Sequence, residues 1–422
     1  SYSESYSAQS TIQDIEHMEA LLANRPITMS LSNNADGTIT LKLFHLVQPI
    51  VLSDVLPILE NMGLRIIAEH PHELKFKDGR RIWLHDFTMT YLSGTGEMNI
   101  QQLAPVFEEA FIATWFGGAE NDGFNRLIIG ASLSWQQTAM LRAYTKYLRQ
   151  IGFLLSQTYI EQALINNVEI TKYLVELFHL RFDPDNGVTD RDDLLPLVTR
   201  IEEALEKVVS LDEDRIIRRL LEILLATLRT NYFQKTLEGG NKSYISFKFD
   251  PELISDLPLP RPRYEIFVYS PRVEGIHLRA GKVARGGLRW SDRREDFRTE
   301  VLGLMKAQQV KNTVIVPEGA KGGFVVKQAT PDMGRDAYLQ EGIACYSIFI
   351  SGLLDITDNI KEGKIIPPQN VVRFDNDDPY LVVAADKGTA TFSDIANGIA
   401  TRYGFWLDDA FASGGSVGYD HK

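Results

Sequence analysis

Between Arg285 and Gly323 the chain reads RGGLRWSDRREDFRTEVLGLMKAQQVKNTVIVPEGAKGG, which joins glycine pairs, an amphipathic run and a short apolar run in one stretch. Arg285 is followed at once by Gly286-Gly287. From about Asp296 to Val310 the spacing of Val301, Leu304 and Met305 predicts a helix with one apolar face. Thr313 to Val316 reads as a buried strand that runs into Pro317-Glu318-Gly319-Ala320-Lys321-Gly322-Gly323. Glycines flanking a lysine let a ligand come close to backbone while the side chain is held at the end of a strand. Three cations, Arg285, Lys311 and Lys321, are therefore expected to lead into one pocket, suited to a small molecule with more than one carboxylate.

The rest of the chain limits what can surround such a pocket. At 422 residues, two or three domains are expected. A hydrophobic content of 44% and a charged content of 24% match an ordinary globular protein. The formal net charge of -12 argues against nucleic acid or an anionic membrane as the main partner. No apolar run approaches the roughly 20 residues that span a bilayer. Cys345 is the single cysteine, which excludes an intramolecular disulfide and fits a reducing cytoplasm. The chain opens without Met, in the polar run Ser1 to Ser10, and reads as a segment of a longer protein.

Taken in order, residues 1–25 read as a linker running into a short helix, Ile12 to Ala23. Residues 26–95 read as a small α+β unit. Thr38 to Leu43 alternates as a half-buried strand, Ser53 caps a helix through Met62, and Gly63 stops it. Leu64 to Glu69 and Arg81 to Thr88 follow as strands around an Asp78-Gly79 turn, giving β-α-β-β in ferredoxin-like order. Residues 96–235 read as mainly helical, with charge runs such as Glu202 to Glu206 on solvated faces. Residues 236–422 read as an α/β substrate-binding unit, so the whole is α/β, or mixed α+β.

A second constellation lies in that last unit. Val371 to Phe374 and Tyr380 to Ala384 read as strands around Asp375-Asn376-Asp377-Asp378-Pro379. The acidic cluster reads as a solvated loop, with a metal site as its alternative, and no metal is assigned. Asp386 then leaves a strand's C-terminal end for the turn Lys387-Gly388-Thr389, the usual address for function in an α/β sheet.

These segments resemble the glutamate dehydrogenase superfamily, whose substrate domain carries a K-G-G-x-R segment, a lysine at a helix end, a G-A-K-G-G loop and a D-x-G-T segment. RGGLRWSDR with EGAKGGF is most similar to the large, multidomain NAD-specific branch, where arginine replaces the first lysine, as at Arg285. The resemblance is close over about Pro271 to Lys422 and faint before that. It implies NAD-dependent oxidative deamination of L-glutamate to 2-oxoglutarate and ammonia. It also implies that Arg285, with Gly286, holds the side-chain carboxylate and that Lys311 holds the α-carboxylate. Lys321 would activate water, and Asp386 would shuttle protons. By the same resemblance 26–95 is an ACT-like module, and Phe411 to Gly418 is similar to the G-G-S-x-G region that precedes a dinucleotide domain. The sequence holds no G-x-G-x-x-G, so cofactor-binding residues are unassigned and a C-terminal dinucleotide domain is expected beyond this segment. A homo-oligomer in the cytoplasm is expected.

The chemistry agrees with that division of labour. Water attack on an imine needs a group that gives and takes a proton, and a lysine beside other cations suits it. Lys311 is preferred to Lys306 because five helical residues turn by about 500°, leaving the two lysines roughly 140° apart. Lys306, next to the apolar stripe, reads as a surface side chain. Two other functions remain open on these residues. One is a dehydrogenase for another amino acid, which the cation at Arg285 disfavours. The other is a regulatory module that senses glutamate or 2-oxoglutarate without catalysis, which Asp386 disfavours because a carboxylate would repel those anions.

Overall fold

The computed structural model describes residues 8–23, 26–46, 48–77, 79–92, 99–186, 192–311, 318–330, 332–385 and 390–415. By internal contacts the chain divides into two compact units, Ser1–Ala139 with Leu164–Lys172, and Met140–Ala163 with Tyr173–Lys422.

The first unit starts with helix α1 (Ala8–Leu22), then β1 (Ile27–Asn33), β2 (Ile39–Leu46), α2 (Leu52–Asn61), β3 (Leu64–Lys75) and β4 (Arg81–Tyr91). The strands form one antiparallel sheet in the order β1-β2-β4-β3. Alternation along each strand assigns its two faces. Phe44, Ile82 and Leu84 point to one side and pack with Met18 and Leu21 of α1. Leu41, Leu43, Phe87 and Met89 point to the other, under α2 and the following helix α3 (Ile100–Trp115). The order is therefore β-β-α-β-β, one strand more than the β-α-β-β expected from sequence, and α3 carries the packed layer past residue 95. Helix α2 starts at Leu52 without a side-chain cap, so Ser53 does not cap it. Gly63 ends it with φ +87°, a left-handed conformation glycine reaches without a Cβ penalty.

Four further helices follow: α4 (Arg126–Gly130), α5 (Trp135–Gln150), α6 (Gln157–Asn166) and α7 (Val168–Phe182). Then come α8 (Leu195–Leu205) and α9 (Leu211–Ala226), before strands take over. Those strands are β5 (Thr227–Thr230), β6 (Ile245–Phe249), β7 (Tyr264–Tyr269), β8 (Val273–Arg279) and β9 (Arg285–Trp290). Helix α10 (Phe297–Lys311), β10 (Ala320–Val326), α11 (Arg335–Leu354), a hairpin of β11 (Asn359–Lys361) and β12 (Lys364–Ile366), β13 (Val382–Ala385), α12 (Ala390–Arg402) and β14 (Ala412–Ser413) complete the second unit.

Its main sheet runs β14-β13-β9-β10-β8-β7-β6-β5. The first four strands pair in parallel and the rest antiparallel. On one face Leu288, Phe324 and Val383 pack with Phe349 and Leu353 of α11 and Phe392 and Ile399 of α12. On the other, Tyr144 and Tyr147 of α5 stack on Phe247 and Phe249 at 4.3 and 4.2 Å between ring centroids. Helix α10 lies on that second face, where a Cβ added at Gly323 would stand 2.6 Å from a Val301 methyl.

Three sequence expectations change here. The sheet begins at Thr227, ahead of 236, because β5 pairs with β6. Residues 371–374 form no strand, since Phe374 N–H bonds the Leu228 carbonyl at the sheet's edge instead. Helix α11, at 20 residues, is long and apolar enough to cross a membrane by length and composition, contrary to the sequence reading. Cys345, Tyr346, Phe349, Ile350 and Leu353 of that helix are instead buried in the core under the sheet. The expected strand at 313–316 lies outside the described residues.

Candidate functional site

Strand register determines how the sequence-identified residues meet. Arg285 bridges to Gly319, and Gly322 and Leu288 are partners further along the same parallel pair. Lys321 thus falls opposite Gly287, and parallel partners share a face. Arg285 and Lys321 stand on the same face of adjacent strands, two residues apart along the sheet, about 7 Å of rise. Among the described residues neither side chain has an ion-pair partner.

The glycines make this pairing possible. A Cβ at Gly286 would lie 1.7 Å from the Ala320 carbonyl oxygen, so no other residue fits there without moving β10. A Cβ at Gly319 would lie 2.6 Å from Oε1 of Gln308. Gln308, near the C-terminal end of α10, donates from Nε2 to the Arg285 carbonyl oxygen at 3.1 Å. Its Oε1 is buried and has no hydrogen-bond partner.

A cleft of about 550 Å³ opens beside these groups. Arg285, Gly286, Gln308 and Tyr380 line it, with Val382, Ala384 and Ser413 among its other walls. Arg285 is exposed, as a side chain that reaches for a solute must be, and Lys321 is half-buried. Lys321 is not among the residues lining this cleft, so the described residues bring Arg285 and Gly286 into it and leave Lys321 alongside. Lys311 is the last residue of α10, three positions after Gln308. Asp386 lies outside the described residues. The strand that leads to it, β13, sets Val382 against Arg285 and Ala385 against Leu288.

Gln308 and Tyr380 are two of the lining residues that escaped the sequence reading. Gln308 was legible in principle, because its three-residue spacing from Lys311 puts both on one helical face. Tyr380 carried no signal, since its position depends on a buried charge network. Asp378 is buried and receives two hydrogen bonds from Arg279, one of 2.9 Å from Nη1, and a third at 2.6 Å from Nζ of Lys248. Asp375 accepts from Nε of Arg229 at 2.6 Å and from Lys248 at 2.5 Å. Asp358 closes the chain, 3.0 Å from Arg229, and accepts the Asp378 N–H at 2.6 Å. Arg279 also donates to the Tyr380 carbonyl at 2.8 Å, fixing the cleft wall.

Burial alone would raise the Asp378 carboxyl, but Arg279 and Lys248 hold it well below the usual carboxylate range. Burial in turn lowers Lys248. The acidic cluster is therefore neither solvated nor arranged for a metal. Asp375 and Asp378 are spent on cations, and only Asp377 is exposed, 2.8 Å from Arg373. Among the described residues no group of three or more His, Cys, Asp or Glu side chains could hold a metal ion.

A second ion pair fixes α10 itself. Arg298 donates to both carboxylate oxygens of Glu265 on β7, at 2.6 and 2.8 Å.

Comparison with known proteins follows the same division. Residues 200–422 match the family described as bacterial NAD-glutamate dehydrogenase, catalytic domain. Residues 119–184 match glutamate dehydrogenase, helical motif 3, and residues 26–103 match glutamate dehydrogenase, ACT3 domain. An NAD-specific glutamate dehydrogenase of Halomonas elongata is 56% identical over 425 residues, covering 100% of this chain and 26% of its own length. One of Pseudomonas aeruginosa is 56% identical over 428 residues, with the same two shares. One of Mycobacterium tuberculosis is 53% identical over 385 residues, covering 88% of this chain and 24% of its own length. The chain spans about a quarter of the length of these curated relatives.

Proposed function

We propose a function on the premise that this chain belongs to the bacterial NAD-glutamate dehydrogenase family, to which the match over residues 200–422 assigns it. In that reading the second unit holds the substrate for NAD-dependent oxidative deamination of L-glutamate to 2-oxoglutarate and ammonia. The observation that carries it is the cleft in which Arg285 stands over the closely packed Gly286, with Lys321 on the same sheet face of the neighbouring strand.

Arg285 pairs with the side-chain carboxylate, and its planar fork suits a bidentate contact. Gly286 lets β9 and β10 come close, which brings Arg285 beside Lys321. Lys311 takes the α-carboxylate from the end of α10. Gln308, with an acceptor to spare, orients the amino end of the substrate. Lys321 takes a proton from water as it adds to the imine carbon and returns one as ammonia departs. Asp386 carries the proton to and from the departing nitrogen.

The sequence holds no G-x-G-x-x-G with which a helix N-terminus could cradle a dinucleotide. Hydride acceptance is assigned to none of the residues here. We assign the nicotinamide site to further sequence of the longer protein and place the reaction in the cytoplasm. The test is calorimetric titration of this chain with 2-oxoglutarate and with pyruvate. Tighter binding of the dicarboxylate, weakened by salt and by Arg285→Ala, is expected. Equal affinity for the two would overturn the assignment.

A further inference from the structure

Strand β10 carries lysines near both ends on one sheet face. Lys321 stands beside the candidate substrate cleft, and Lys327, just past the strand's last residue, lies six positions further on, about 20 Å along the strand. Lys327 points into a separate cavity of about 210 Å³ between α5, β8 and the start of α10. Four cationic side chains line it, Lys146, Arg149, Arg294 and Lys327, against two carboxylates, Glu274 and Glu295.

The cavity is a built site. Nζ of Lys327 is 3.0 Å from Glu274 and 3.1 Å from the Ser270 carbonyl oxygen, and it lies over the Tyr269 ring at 4.8 Å. Only 18% of its side chain is exposed. Burial lowers Lys327 to about 7 and raises Glu274 to about 6, so each is pushed toward its neutral form and an added anion would favour the charged lysine. Gln150 fixes the rim by donating to the Arg294 and Glu295 carbonyls at 3.0 and 3.2 Å and accepting the Arg298 N–H at 3.1 Å. Arg149 pairs at 3.2 Å with Glu295, a carboxylate 83% exposed. Such an exposed pair is weak enough for a ligand to displace.

We propose that this cavity is a second ligand site, distinct from the substrate cleft, that takes a small dianion of phosphate or dicarboxylate type. The excess of cationic over acidic lining groups supplies the charge match. Arg149 and Arg294 supply guanidinium forks for two adjacent oxygens. Lys327 supplies the buried contact.

The test is calorimetric titration of the 422-residue chain with inorganic phosphate and, separately, of its Arg285→Ala variant with succinate, so that the substrate cleft does not take up the dicarboxylate. One equivalent of dianion is expected to bind. Lys146→Met and Arg149→Met, both at the half-buried rim, should each weaken it about tenfold, as loss of one charge-assisted contact does. Arg285→Ala, in the other cleft, should leave phosphate binding unchanged. Whichever of phosphate and succinate binds more tightly identifies the ligand's chemical source. Thermal melts of each variant guard against loss of fold. Absence of binding by both dianions, binding undiminished in both rim variants, or phosphate binding abolished by Arg285→Ala would each overturn the proposal.

Discussion

Arg298 of α10 and Glu265 of β7 form a two-hydrogen-bond ion pair in which neither side chain is exposed at all. Burial alone would make Arg298 a weaker base, but the Glu265 carboxylate more than offsets this and pushes it above its ordinary value. The pair holds α10 against the sheet, and α10 carries Gln308 and Lys311 at its other end. Glu265→Gln leaves a buried guanidinium without its counter-charge. Breaking a buried pair from one side costs about 3–5 kcal/mol. Urea denaturation should show a loss of that order for the second unit. A change below about 1 kcal/mol would mean that the pair does not anchor the helix.

Gly286 is the point where β9 and β10 come closest. In Gly286→Ala the new methyl would meet the Ala320 carbonyl oxygen at 1.7 Å, so the two strands must part. Strain of this kind costs about 1–3 kcal/mol. The shift separates Arg285 from Lys321, and 2-oxoglutarate affinity should fall about tenfold or more. Calorimetry that found parental affinity in a folded variant would place the substrate elsewhere.

His277 of β8 is buried with neither ring nitrogen hydrogen-bonded. Burial first, then the nearby Arg279 charge, lowers it to about 3. Its folded value is depressed below the unfolded one, so the unfolded chain binds the extra proton. The stability it contributes is full above about pH 6.5 and is lost as pH falls toward 3, by up to about 1.4 kcal/mol per pH unit. His277→Leu removes that term. The stability difference between parent and variant should shift in the variant's favour as pH falls through this window. A difference independent of pH would show that His277 does not titrate there.

Catalysis is testable only in the longer protein that contains this segment. There, Lys321→Ala should lose turnover by roughly three orders of magnitude or more, since proton transfer and charge stabilisation go together. Asp386→Asn should keep substrate affinity and lose turnover, because an amide cannot accept and return a proton. Lys311→Ala should raise KM far more than it lowers kcat. Steady-state NADH formation with glutamate separates the three. Parental turnover in Asp386→Asn would leave a sensing role as the better account.

Of the candidate cleft, Arg285 and Gly286 were legible in the sequence because they depend on chemistry carried by single residue types at short range. The glycine pair after Arg285, the lysine between glycines at 319–323 and the amphipathic run into Lys311 each state a local requirement. The structure gives α10 where its pattern falls, but it makes strands of both glycine segments, β9 from Arg285 and β10 from Ala320, so Lys321 stands at the start of a strand and not in a loop after one. Helix ends such as Gly63 were legible for the same reason, since a left-handed residue is a property of one position.

What the tertiary structure alone decided lies at long range. Asp375 and Asp378 read as a solvated loop until the sheet brought Arg229, Lys248 and Arg279 to them from about 100 to 150 positions away. Helix α11 has the length and composition of a membrane span, and only the sheet beneath it shows that its apolar side chains are satisfied by packing. The cavity around Lys327 left no pattern at all, because α5 and β8, which meet there, are far apart in the sequence. A sequence specifies what each side chain can do locally, whereas burial and charge pairing are set by whichever distant segment the fold places against it.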